Sequence, residues 1–124
     1  MDDTGFSRLY HLALRGEWLE AVDAGTAYER STLGASLADV GFIHCSFADQ
    51  VQATADLVYR GRADVVLLEI DPARVEAEVR VESLGGGTFP HIYGPLPIRA
   101  VLTATDVRLG PDGRLLTEIA LGHS

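Results

Sequence analysis

Val65-Val66-Leu67-Leu68-Glu69-Ile70, closed by Asp71-Pro72, is the longest near-continuous apolar run in the chain. A strand with one wet face alternates apolar and polar residues, whereas an unbroken run marks a strand covered on both faces. This strand is expected at the centre of a sheet. Upstream, Phe6 to Ala13 mixes apolar, aromatic and polar positions and reads as the first strand. Leu14, Trp18, Ala21 and Val22 then fall on one face of a helix through Asp23 that Gly25 can stop. Tyr28 to Leu33 is irregular, and Ser36-Leu37-Ala38-Asp39 has capping spacing for a short helical turn before Gly41. Phe42-Ile43-His44-Cys45 is a second strand. Ser46-Phe47-Ala48-Asp49 repeats the capping spacing with Ser46 as N-cap, and Phe47, Val51, Ala55 and Val58 mark a helix ended by Gly61.

Downstream of the central run, Glu78 to Glu82 alternates valine with charge, as an edge strand does. Leu84 to Pro97 gathers four glycines and three prolines and reads as a long loop. Ile98 to Arg108 and Leu115 to Ile119 flank Gly110-Pro111-Asp112-Gly113, the pattern of a C-terminal hairpin. The sum is a single α+β domain over residues 1–124, with about six strands and two main helices.

At 124 residues the chain is long enough to bury a core without metal or disulfide. Ten basic against eighteen acidic residues give a formal charge of −8, which repels phosphate backbones, so no nucleic-acid and no membrane partner is expected. A small-molecule or nucleotide ligand remains compatible with that charge. The absence of an apolar run of about twenty residues, and of a charged-then-apolar leader, gives a cytoplasmic expectation. Cys45, the only cysteine, excludes an intramolecular disulfide and a multi-cysteine zinc site, and no metal is expected. All basic residues are arginine, so Schiff-base, pyridoxal phosphate and P-loop chemistry, which need a lysine amine, drop out.

The candidate site residues are histidines in apolar or aromatic company. Imidazole titrates near neutrality and serves as acid, base or ligand-orienting group. His11 follows Tyr10, His44 sits in Phe42-Ile43-His44-Cys45-Ser46, and His91 lies in Phe89-Pro90-His91-Ile92-Tyr93-Gly94. His44 has a plainer reading as a satisfied core histidine, Ser46 as a cap, and His91 as a plug closing the core. Cys45 reads as a small buried hydrophobe, since strand alternation points it away from His44. Glu69 and Asp71 share a strand face, but Asp71 before proline suits a turn better than acid–base work. Gly85-Gly86-Gly87 lacks a phosphate-cradle pattern.

Tyr10-His11-Leu12-Ala13, Gly41-Phe42-Ile43-His44-Cys45-Ser46, Val66-Leu67-Leu68-Glu69-Ile70-Asp71 and Phe89-Pro90-His91-Ile92-Tyr93-Gly94-Pro95-Leu96, in this order, resemble a small bacterial domain-of-unknown-function family, number 952, over roughly Leu9 to Thr103. That family is similar in fold to the ADP-ribosylation domains, with split small sheets and an NAD cleft between them. The resemblance implies NAD as a substrate, no firmly held cofactor, and ligand-binding roles for His11, His44, Ser46, His91 and Tyr93, with His44 and His91 as the catalytic candidates. His44-Cys45-Ser46 is similar to the His-x-Ser of RNA 2′-phosphotransferases. The late glutamate of many ADP-ribosyl transferases has no counterpart between Phe89 and Leu96. The alternative is a nonenzymatic nucleotide- or metabolite-binding domain on the same fold.

Overall fold

The structure, a computed structural model, describes residues 8–84 and 87–107. Val65–Ile70 forms strand β3, paired antiparallel on one side with β1 (Leu9–Leu14) and on the other with β6 (Val101–Val107). It is central, as its apolar run predicts, and both its faces are covered. Val66, Leu68 and Ile70 enter one core cluster with Leu9, Trp18 and Ile43, while Val65 and Leu67 enter a second with Tyr10, Val51, Ala55 and Tyr59. Helix α1 (Arg15–Ala24) covers the first face through Trp18 and Ala21 and ends where Gly25 turns left-handed, at φ 69°. A residue with a Cβ is strained in that conformation, which is why the helix stops on glycine. The face predicted for α1 is narrower than expected, because Leu14 belongs to β1 and Val22 is exposed.

Ser36 caps the short α2 (Leu37–Val40) by accepting the Asp39 N–H at 3.0 Å, as the spacing predicts. Strand β2 is only Ile43–His44, and α3 (Val51–Val58) covers the second core. Ser46 does not cap it. Its backbone pairs with Tyr10 in both directions, at 2.9 and 2.7 Å, and its hydroxyl meets the Thr54 hydroxyl at 3.1 Å. The chain enters α3 instead through a turn at Ala48–Gln50, where the Gln50 side-chain oxygen accepts the Phe47 N–H. Asp71 accepts the Ala73 N–H, which is the turn role expected of a carboxylate before proline.

The expected long loop from Leu84 to Pro97 is corrected by the structure: Gly87–Ile92 is strand β5, the middle of a second sheet in the order β2-β5-β4, with β4 at Val79–Leu84. A central strand tolerates Pro90 for a specific reason. A strand residue's N–H and C=O point to the same side, and the Pro90 carbonyl accepts the Cys45 N–H at 3.0 Å. The donor that proline lacks would therefore face the point where two-residue β2 has already ended. Of the C-terminal hairpin, β6 is present from Val101, with a 3-10 turn over Ile98–Ala100 before it; the remainder lies outside the described residues. The architecture is a mixed α+β fold with two small antiparallel sheets. They meet at the Tyr10–Ser46 bridge.

Gly94 is required by packing. A Cβ built there would stand 2.6 Å from the Ala77 Cβ. Gly94→Ala is expected to lower the unfolding free energy by about 1–3 kcal/mol, the usual cost of overpacking. Denaturant titration checks this, and an unchanged midpoint would mean that the Ala77 segment gives way freely.

Candidate functional site at the second sheet

Register decides what the second sheet presents. His44 pairs with His91, Ile43 with Ile92, and Glu82 with Phe89. Side chains alternate across a strand, so His44, Phe89, His91, Arg80 and Glu82 share one face while Ile43, Cys45, Ile92 and Val79 turn to the first core. Phe42 and Tyr93 extend the polar-aromatic face: the Phe42 ring stacks on the His91 ring at 4.1 Å and 15°, and lies 5.4 Å from the Tyr93 ring. Arg80 sits over the Tyr93 ring at 4.4 Å.

A line of hydrogen bonds crosses this face. Glu82 Oε1 accepts from the Tyr93 hydroxyl and from His91 Nδ1, the latter at 2.8 Å. These bonds hold the Glu82 carboxyl below its ordinary range, Tyr93 contributing more than His91, and the carboxylate in turn raises the Tyr93 phenol. His91 Nε2 meets His44 Nδ1 at 3.3 Å. Burial lowers His44 to about 4, with the neighbouring His91 acting in the same direction. The imidazole of His44 is therefore neutral at pH 7, and its Nε2 has no partner among the described residues.

His44 lines a cavity of about 360 Å³ whose walls are chiefly apolar: Phe42, Phe89, Val40 and Val58, with Ser31, Thr32 and Thr54 as the small polar members. Leu57, 84% exposed, stands at its rim. The loop bearing Thr32 is tied to β2 by the buried Ser31 hydroxyl, which accepts the His44 N–H at 3.1 Å.

His11 belongs to the seam between the sheets. Its Nδ1 donates to the His44 carbonyl at 2.7 Å, so its Nε2 carries the lone pair and accepts from the Tyr28 hydroxyl at 2.9 Å. Both nitrogens are spent on protein partners. Burial drives the ring down to about 4, and Tyr28, also buried, is raised. Of the five residues singled out in the sequence, His44, His91 and Tyr93 share the sheet face. His11 and Ser46 lie behind it, lining with His44 a void near 10 Å³. β1 and β2 are edge strands of their own sheets rather than neighbours within one. Cys45 is buried and its thiol pushed up by desolvation, as suits an inert hydrophobe.

Sequence reasoning missed Glu82, Tyr28 and the two phenylalanines that wall the cavity. Glu82 was within reach of an alternation argument, because once β5 is a strand its hairpin register sets Glu82 diagonal to His91. Among the described residues, no helix is long and apolar enough to cross a membrane, and no cluster of three or more metal-ligating side chains is placed to hold an ion.

A family model described as a protein of unknown function, DUF952, matches residues 12–104. The crystal structure of protein CC0527 from Caulobacter crescentus is similar at 37% identity, covering 88% of this chain and 93% of that one, with a TM-score of 0.74. The solution NMR structure of CC0527 is similar at 33% identity, with coverage of 90% and 93% and a TM-score of 0.72. No curated protein matches. The matched span contains β1 from Leu12, the whole of the second sheet and every side chain of the cavity wall, and on that match the chain belongs to the DUF952 family.

Proposed function

We propose that the cavity beside His44 binds a small ring-bearing metabolite, and that His44 is the acid–base group or polar anchor at it. The observation that carries this reading is an imidazole lining an apolar cavity with one nitrogen backed by His91 and Glu82 and the other unpartnered among the described residues. Apolar walls with a few convergent polar groups are the usual composition of a ligand site. The resemblance to ADP-ribosylation domains supplies the candidate ligand: NAD or an ADP-ribose-containing molecule, with the nicotinamide ring between Phe42 and Phe89 and the phosphates outside the apolar walls. Cleavage of a nicotinamide–ribose bond passes through an oxocarbenium-like species that needs positioning and electrostatic support. In this reading His44 faces the reacting end, with His91, Glu82 and Tyr93 behind it. His11 and Ser46 hold the seam that positions His44.

A nonenzymatic binder is the second reading. It is favoured by the cavity wall itself, where His44 is the only titratable side chain among the described residues.

Millimolar NAD, ADP-ribose or nicotinamide is expected to raise the melting temperature, since a ligand at a hundred times its Kd adds about 2.7 kcal/mol to folding stability. His44→Ala should abolish that shift, its own melting point being recorded first without ligand. Release of nicotinamide over hours identifies an enzyme, and a shift with NAD intact identifies a binder. Absence of both shift and turnover with all three compounds would overturn the nucleotide reading.

A further inference from the structure

The face of the second sheet also dictates which way hydrogen bonds run into the cavity. A carboxylate only accepts, so Glu82 requires the proton on His91 Nδ1. When that is the only proton on His91, its Nε2 is a lone pair, and the contact at 3.3 Å then requires the His44 proton on Nδ1. His44 Nε2 is left as an acceptor. Among the described residues the cavity wall offers it no competing cation, and the chain as a whole carries −8.

We infer that the cavity selects a non-anionic aromatic ring bearing a hydrogen-bond donor, an N–H or O–H, which His44 Nε2 accepts. The inference rests on the cavity being a ligand site and adds the chemical class that the site takes. Two phenylalanine walls suit a flat ring, including one with positive charge. An anionic ring would meet the His44 lone pair with no compensating cation. A donor-free ring would leave that lone pair desolvated and unpaired, a cost comparable to a lost buried hydrogen bond. Glu82 is a positioning residue here: it touches no ligand and acts through His91 on the tautomer of His44.

The test uses two isosteric pairs of probes, phenol against toluene and benzamide against benzoate, with Kd measured by ligand-observed NMR at pH 7. Phenol and benzamide are expected to bind about tenfold more tightly than their partners. In the free protein, the ¹⁵N resonance of His44 Nε2 should fall in the unprotonated range. Glu82→Gln, at a half-exposed position, lets an amide N–H donate to His91 and so permits the opposite proton order. This variant should bring the phenol-to-toluene ratio towards one and move the His44 Nε2 resonance towards the protonated range. Equal affinity for phenol and toluene, or a protonated His44 Nε2 in the unsubstituted protein, would overturn this inference and leave the ligand site standing. Failure of all four probes to bind would overturn both.

Discussion

His11→Ala is expected to remove about 3–5 kcal/mol of folding stability at pH 7, as read by denaturant unfolding. The ring is 3% exposed and packs edge-on against Tyr28 at 5.4 Å, so its removal leaves a cavity of aromatic size. It also strips the Tyr28 hydroxyl and the His44 carbonyl of their shared partner, and unpaired buried polar groups cost about 1–3 kcal/mol each. Collapse of the surroundings recovers part of this, which keeps the total within the range for deleting a large core ring. Domains of this size are stable by only about 5–15 kcal/mol, so the variant should lie near the edge of folding. Tyr28→Phe, which breaks one of the two bonds and keeps the packing, should cost about 1–3 kcal/mol. A loss below about 1 kcal/mol for His11→Ala would remove His11 from the architecture of the seam.

Acidification is the second large effect. The His11 pKa is about 4 in the folded chain against 6.5 in the unfolded one, so between these values the unfolded state holds the extra proton. Stability is then fully present above pH 6.5, falls as the pH drops, and levels off below about 4. At about 1.4 kcal/mol per pH unit, His11 alone should remove roughly 2 kcal/mol between pH 7 and 4.5. His44, lowered in the same direction but partly exposed, adds to the loss by a smaller amount. Glu78, Glu82 and Asp64 are lowered too, but from ordinary values of 4.5, 4.5 and 3.8, so their contribution is lost only as the pH falls below about 4.5 and the window from 6.5 to 4.5 belongs to the histidines. Unfolding free energies measured across that window check the slope. His11→Gln should flatten most of it, and a slope unchanged in that variant would assign the effect elsewhere.

The first sheet was legible because local patterning and burial agree there. Val65–Ile70 is apolar throughout and is covered on both faces, and the stops at Gly25 and Gly41 are glycines that the backbone turns into left-handed conformations. Strand β5 was not legible, because Gly87 and Pro90 argue locally for a loop, and the tolerance for Pro90 depends on β2 ending two residues into the pairing. The histidines were recognisable as special by their company, but the division of labour among them was not. His11 and His44 occupy similar strand contexts in the sequence, and only the spatial approach of Tyr28, Glu82 and His91 assigns one to structure and the other to the cavity. Glu82 lies nine residues before His91 on the neighbouring strand, a separation that carries meaning only once the register of β4 on β5 is known.

The joint between the sheets is written in different alphabets at its two ends. On the β1 side it depends on an imidazole, and nothing but histidine offers that donor and acceptor in that shape. On the β2 side it uses the N–H of His44 towards Ser31 and the C=O of His44 towards His11, atoms that every residue except proline possesses. Position 44 can therefore exchange its side chain while the joint persists. The cavity wall at residue 44 is thus mechanically uncoupled from the joint behind it, whereas a substitution at residue 11 also takes away the partner of the Tyr28 hydroxyl.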